Sequence, residues 1–357
     1  MRDVNLAALC PAGHFSSRVI SSQRLLAATL LLAAVSLLGG CRQPASADPK
    51  APGTPKKLTI ACIPKATASS YWASVRAGAE RAGRELHVNV DWQGPLNDSK
   101  IADQIGIFNN LAASGVDGIL LAPADDRALL PHVRSAIKRG LPVALFDSEL
   151  DGKPGVDYIG LVATDNHRAG VVAAQTLLHA IGDAPAYGGK VIMIRLTEGS
   201  ASSRRREEAF IETLAAATPK LQIVEAPFTD GTMAGAQRVT ETLLNNYVKN
   251  KRLEVDGIFA ASQTATEGAY TAIEALHDEK IESHAKFVGF DVSELLDPGL
   301  RNGTVTALVV QDTEKMGYLG VKLLIDHINQ QPVETFVDTP VTVKTQPGGA
   351  VGEQPSR

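Results

Sequence analysis

Cysteine is nearly missing from this chain, with three in 357 residues, at positions 10, 41 and 62. That scarcity excludes a disulfide-stapled scaffold and a four-cysteine zinc site. Aromatic residues make up only 5%, and 35 Lys and Arg are outnumbered by 39 Asp and Glu, for a formal charge of -4. With no basic stripe to neutralise phosphates, nucleic acid is not expected as a partner. Catalytic signatures are lacking as well. No GxGxxG or GxxxxGK[ST] follows a strand-like run, HExxH and GxSxG are absent, and the eight histidines show no ligand spacing. His277 and His284 flank a turn and read as surface residues. No catalysis, cofactor or metal is expected. Long apolar runs are missing too, with one exception at Leu25 to Leu38. As a helix that run would rise only about 21 Å, short of a hydrocarbon core of about 30 Å.

The exception follows Arg2, Arg18 and Arg24, so residues 1–40 read as an export signal peptide. Leu38-Gly39-Gly40-Cys41 sets small residues before a cysteine and resembles a bacterial lipoprotein box, which implies lipidation of Cys41. Residues 41–56, with four prolines among small residues, read as a tether. Only Cys62 then remains as a thiol, and its place in the apolar run Leu58 to Ile63 marks it as core.

What the chain does have is 44% hydrophobic residues, enough for two cores, and a regular alternation from Lys57 onward. Short β-branched runs are spaced by stretches of helical periodicity, the rhythm of βαβ units. The runs are Leu58 to Pro64, Leu86 to Trp92, Gly118 to Ala122, Pro142 to Phe146 and Tyr158 to Val162, then Lys190 to Arg195, Gln222 to Ala226, Gly257 to Ala260, Phe287 to Phe290 and Thr304 to Val310. Asp165 to Ile181 and Thr313 to Ile328 read as amphipathic helices, the first capped by Thr164 or Asp165. Ten strands are too many for one ordinary open sheet. A soft break after five, near Val162 to Asp165, predicts an α/β protein of two doubly wound parallel-sheet lobes. Right-handed crossovers put the loops at the strands' carboxyl ends on one edge of each sheet, where ligands of open α/β sheets bind.

Those loops carry Ser69 to Trp72, Asp125 and Asp126, Asp147 and Ser148, and Asp165 and Asn166 in the first series. In the second they carry Ser200 to Arg206, Asp230, Ser262 and Gln263, Asp291, and Gln311. Carboxylates accept from hydroxyls, Arg and Gln donate, and an aromatic face covers the C–H side of a sugar ring. Several of these residues also have local explanations, as helix caps, a solvated arginine face or ordinary packing.

From Lys57 to Lys344 the sequence resembles the type I periplasmic sugar-binding proteins related to the ribose-binding protein, whose fold is shared with LacI-type repressors. The resemblance rests on Tyr71-Trp72-Ala-Ser-Val-Arg-Ala-Gly-Ala, Gly115-Val-Asp-Gly-Ile119 with Ala122-Pro-Ala-Asp125, Leu141-Pro-Val-Ala-Leu-Phe-Asp-Ser148, Thr164-Asp-Asn166, Arg206 before Phe210, Val288-Gly-Phe-Asp291 and Thr306 to Gln311. It implies a three-strand hinge, with residues 57–164 and 312–339 in one lobe, 165–311 and 340–345 in the other, and a tail from 346. It implies ligand-binding roles for Ser69, Tyr71, Trp72, Asp147 and Ser148 on the first lobe, and for Arg206, Asp230, Ser262, Asp291 and Gln311 on the second lobe and hinge. Closure on a ligand bridging Asp147 to Arg206 and Asp291 is the implied mechanism.

Ribose binders have arginine where this chain has Ser148, asparagine where it has Ser69 and Ser262, and phenylalanine where alignment gives Asp230. Another sugar or polyol is therefore expected. The implied partner is the permease of an ABC importer, serving a monomer held at the outer face of the membrane or in the periplasm by its lipid alone. A receptor subunit for a sensor kinase or chemoreceptor is the alternative, and an enzyme acting on carbohydrate a more distant one. A repressor is excluded by the apolar leader and tether that occupy the place of a DNA-binding headpiece.

Overall fold

Gly118–Leu121 (GILL), Val143–Phe146 (VALF) and Gly257–Ala260 (GIFA) are buried at every position. Strands with no polar face belong in sheets covered on both sides, and the computed structural model, which describes residues 57–217 and 220–346, places them there. The expected signal peptide, Cys41, the tether and all but the first residue of the tail lie outside the described residues.

The first lobe begins with β1 (Thr59–Ile63), α1 (Ser70–Glu85), β2 (Asn89–Trp92), α2 (Ile101–Ala113), β3 (Gly118–Leu121), α3 (Leu130–Lys138), β4 (Val143–Phe146) and β5 (Leu161–Ala163). The second holds α4 (Asn166–Ile181), β6 (Lys190–Ile194), α5 (Ala201–Ala217), β7 (Gln222–Glu225), α6 (Met233–Asn246), β8 (Val248–Lys249), β9 (Arg252–Leu253), β10 (Gly257–Ala260), α7 (Gln263–Asp278), β11 (Glu282–Ser283), β12 (Lys286–Phe290), α8 (Asp297–Asn302) and β13 (Ala307–Val310). The chain then returns with α9 (Thr313–Ile328) and β14 (Phe336–Asp338) and crosses once more to β15 (Thr342–Thr345).

One six-stranded sheet runs β14-β5-β4-β3-β1-β2, all parallel, and the other β15-β13-β12-β10-β6-β7, parallel except for β15. The α/β architecture with parallel sheets expected from the alternation is therefore present. Each sheet is covered on both faces. Trp72, Val75 and Leu324 pack on one side of the first sheet and Phe108 and Val133 on the other, while Ala269 and Ile273 face Phe210 and Leu177 across the second. Cys62 is fully buried in β1, and burial pushes its thiol pKa up, so it is inert core.

Several boundaries differ from the sequence reading for local reasons. The run from Leu86 starts as strand only at Asn89, because Leu86 caps α1 and His87 turns left-handed at φ 57°. The run from Tyr158 starts at Leu161, because Tyr158 closes a turn by accepting from Gly155 N at 2.7 Å. The small sheet β11-β9-β8 was not expected, since two-residue strands carry no readable period.

Three segments pass between the sheets, between β5 and α4, β13 and α9, and β14 and β15. They are tied together where they cross. Thr164 Oγ1 donates to Thr339 O at 3.1 Å, and Asp165 N donates to Asp338 Oδ1 at 3.0 Å. Two crossings end in the same device: Asp165 accepts from Arg168 N at 3.0 Å and Asp312 from Lys315 N at 3.2 Å, capping α4 and α9. The helices pack where glycine lets backbones meet. A Cβ on Gly170 of α4 would stand 2.1 Å from the carbonyl oxygen of Arg206 on α5.

Candidate functional site

Two Phe-Asp pairs end the matching strands of the two sheets. Asp147 follows β4 with φ 63°, and Asp291 follows β12 with φ 60°. Left-handed backbone costs an ordinary residue roughly 1–2 kcal/mol and is tolerated best by Asn, Asp and Gly. Here it is held by the sheet, with Asp147 N donating to Val162 O at 3.0 Å and Asp291 N to Val309 O at 2.8 Å. The turn aims both carboxylates into the space between the lobes.

On the first lobe, Asp147 is buried between a phenol and an ammonium. Tyr71 OH donates to Oδ1 at 2.5 Å, and Lys65 Nζ pairs with Oδ2 at 2.7 Å. Burial, reinforced by Asp147 and Asp291, raises the Tyr71 pKa well above the usual range, so the phenol stays a donor. Lys65 also donates across the cleft to Ser202 Oγ at 2.8 Å and Ser200 Oγ at 3.2 Å. Two of its N–H donors are spent on these serines, and its charge stands against Asp147. Lys65 thus orients Asp147 and ties it to the second lobe.

On the second lobe, the Arg206 guanidinium lies 3.9 Å above the Phe290 ring centre and donates to Ala261 O and Asn166 Oδ1, both at 2.6 Å. Its Nε finds no partner among the described residues. Burial lowers its pKa, and the carboxylates of Asp291 and Asp147 oppose that effect. Asp291 accepts from Gln311 N at 3.0 Å and from Gln311 Nε2 at 2.9 Å. Burial nevertheless pushes Asp291 up to about 6, against the pull of Arg206.

The lobes touch around this cluster. Gln263 Oε1 accepts from Tyr71 N at 3.1 Å, while its Nε2 donates to Ser70 Oγ at 2.9 Å. Arg204 pairs with Asp126 and Arg205 with Glu149, so neither is a free solvated arginine. Enclosed among these contacts is a cleft of about 410 Å3, part of it open to solvent.

Ser69, Tyr71, Trp72, Asp147, Arg206, Ser262, Asp291 and Gln311 line this cleft together. Ser69 and Ser262 also cap helices, accepting from Trp72 N at 3.5 Å and Ala265 N at 3.3 Å. Two expected residues stand elsewhere. Ser148 is buried behind the wall, its Oγ accepting from Ser202 N at 3.2 Å. Asp230 is exposed outside the cleft, holding Thr232 N at 2.9 Å and Arg238 at 3.4 Å. It is a local turn carboxylate at the start of α6, which corrects the placement read from alignment.

The sequence reading missed Lys65 and Asp98 and named Gln263 only as a loop residue, though all three line the cleft. Lys65 stands two residues past β1 and was legible by the strand-end rule. Asp98 is separated from β2 by five loop residues, and no local pattern marks it.

The sequence profile of the periplasmic binding protein domain matches residues 60–332. The chain belongs to the periplasmic binding protein family. Within it, the type I sugar-binding resemblance read from the sequence is borne out. The D-ribose/D-allose-binding protein of Pseudomonas aeruginosa is 27% identical over 92% of this chain and 99% of its own length. Among solved structures, a solute-binding protein of Agrobacterium vitis with bound D-fucose is 33% identical, with TM-score 0.74 over 81% of this chain and 96% of that one. A carbohydrate-transporter solute-binding protein of Agrobacterium radiobacter in complex with D-arabinose is 30% identical, with TM-score 0.75 over 82% and 96%. No helix among the described residues is long and apolar enough to cross a membrane.

Proposed function

We propose that this protein is the solute-capturing component of an ABC importer and closes its two lobes on one monosaccharide. The observation that carries this reading is the convergence of Asp147, Arg206 and Asp291 from opposite lobes on one cleft beside Tyr71 and Trp72. Carboxylate acceptors, an unengaged guanidinium N–H and aromatic rings suit a ring bearing hydroxyls. The sugars bound by the relatives above supply the first compounds to test.

The sequence argument against ribose rested chiefly on Ser148 and Asp230, with Ser69 and Ser262, both in the cleft, standing where ribose binders have asparagine. Asp230 stands off the cleft, and Lys65 supplies a cation beside Asp147 where ribose binders have arginine one position on. D-ribose therefore stays among the candidates, with D-allose, D-arabinose and D-fucose.

A ligand at 100 times its dissociation constant adds about 2.7 kcal/mol to stability, enough to raise the melting point by several degrees. We expect at least one of these four sugars to do so, and Asp291→Ala to abolish the shift; no shift from any of them would sink the reading. Loss of uptake of that sugar in a deletion strain separates transport from sensing. The same reading includes export and a lipid anchor at Cys41, so Cys41→Ser should release the chain from the membrane fraction.

A further inference from the structure

Asp98 follows β2, the edge strand farthest from the three crossings. It is 8% exposed, lines the cleft, and bonds no group among the described residues except its own main-chain N–H. The ordinary explanation for an aspartate near a helix start is capping. That explanation fails here, because α2 begins at Ile101 with Lys100 as its N-cap and no side-chain cap bond.

Across the cleft stands the loop after β7. A Cβ on Gly231 would fall 3.2 Å from the Asp98 Cβ and 3.2 Å from Thr197 Cγ2. The second lobe therefore packs closely against the Asp98 side chain, and a side chain at Gly231 would crowd it. Burial of an acceptor without a donor costs about 1–3 kcal/mol, more for a charge. The nearby charged and amide groups are engaged elsewhere, with Lys65 on Asp147, Ser200 and Ser202, Tyr71 OH on Asp147 and Gln311 Nε2 on Asp291, while the Thr197 hydroxyl, close by, is itself without a partner among the described residues.

Resting on the sugar-binding reading, we propose that Asp98 is a ligand-contacting residue that selects a solute presenting hydroxyl donors at the end facing the cleft mouth. The site is then read from both ends. Asp291 and Arg206 take the hinge-side hydroxyls, and Asp98 accepts from one or two at the far end. A sugar lacking the mouth-side hydroxyl leaves the carboxylate buried and unpaired, which is the strong form of discrimination.

The test is calorimetric titration of the full mature chain with D-ribose, D-allose, D-arabinose and D-fucose. Asp98→Ala should weaken the best-bound of these by about ten- to hundredfold, and Asp98→Asn, which keeps an acceptor, by less. Of the monodeoxy analogues of that sugar, one should lose affinity for the parent and lose nothing further for Asp98→Ala. If Asp98→Ala binds like the parent while Asp291→Ala does not, Asp98 is no ligand contact and the sugar reading stands. If no sugar binds the parent, both readings fall.

Melting without ligand supplies a folding control. Burial raises Asp98 to about 6; Lys65 opposes this and Asp147 adds to it, while Thr197 and Gly231 of the facing loops bring no charge. A carboxyl raised on folding stabilises below its unfolded pKa, and that stability is lost as pH rises through about 6. Asp98→Asn should then melt above the parent at pH 7.5, with the gap closing by pH 4. A lower melting point at pH 7.5 would reveal a structural partner and overturn the assignment.

Discussion

Arg206→Ala should reduce sugar affinity at least about a hundredfold, the largest loss expected from any single side chain in the cleft. Arg206 is 3% exposed and holds three things at once. Its fork fixes Ala261 O and Asn166 Oδ1, its plane covers Phe290, and its charge stands among Asp147 and Asp291. Truncation leaves two buried acceptors unpaired and takes the cation from Asp291, while Asp147 keeps Lys65. Removing one member of a buried charged, hydrogen-bonded set costs about 2–5 kcal/mol, and each 1.4 kcal/mol is tenfold. Arg206→Lys should restore little, because an ammonium cannot bond two separated oxygens in one plane while lying flat on a ring. Titration calorimetry with the best-bound sugar measures this, and circular dichroism separates it from misfolding. Near-parent affinity would show that the solute does not engage this wall.

The second large effect belongs to a residue that touches no solute. Gly170→Ala should destabilise the protein by roughly 1–3 kcal/mol or more and weaken binding as well. In a helix interior alanine is normally better than glycine by about 0.5–1 kcal/mol, so the expected sign is reversed. The reason is contact: the new methyl would sit 2.1 Å from Arg206 O and 2.9 Å from Ala209 Cβ, forcing α5 away from α4. Arg206 moves with α5. Gly106→Ala is the matched control, since Gly106 lies on an exposed face of α2 with nothing within 4 Å of its would-be Cβ. It should be neutral or mildly stabilising. Chemical denaturation of the two variants, side by side, tests the argument, and equal effects would refute it.

Much of the architecture was legible because it is written in neighbouring residues. Buried runs such as GILL and GIFA announce central strands, and the α9 boundaries followed from periodicity alone. The Phe-Asp pairs marked the two strand ends that carry the site, since each aspartate follows directly on its strand. Where reading failed, the cause was also physical. Asp230 was placed in the cleft by alignment, yet a short turn lets its own Thr232 N and Thr232 Oγ1 capture the carboxylate. Asp98 was invisible because nothing within its own loop explains it.

Local order along the chain, then, was enough for the strands, the helices, the alternation that makes α/β lobes and the strand-end carboxylates. Folding in three dimensions was needed to show which polar groups are already spent and which are free. Lys65 meets Ser200 across 135 residues and Ser202 across 137, and that pairing takes up two of its donors. Arg206 is fixed by Asn166 from 40 residues away and by a glycine on another helix. Whether a buried charge is satisfied depends on atoms brought within about 3 Å, and such distances are set by how the lobes pack rather than by neighbours in sequence.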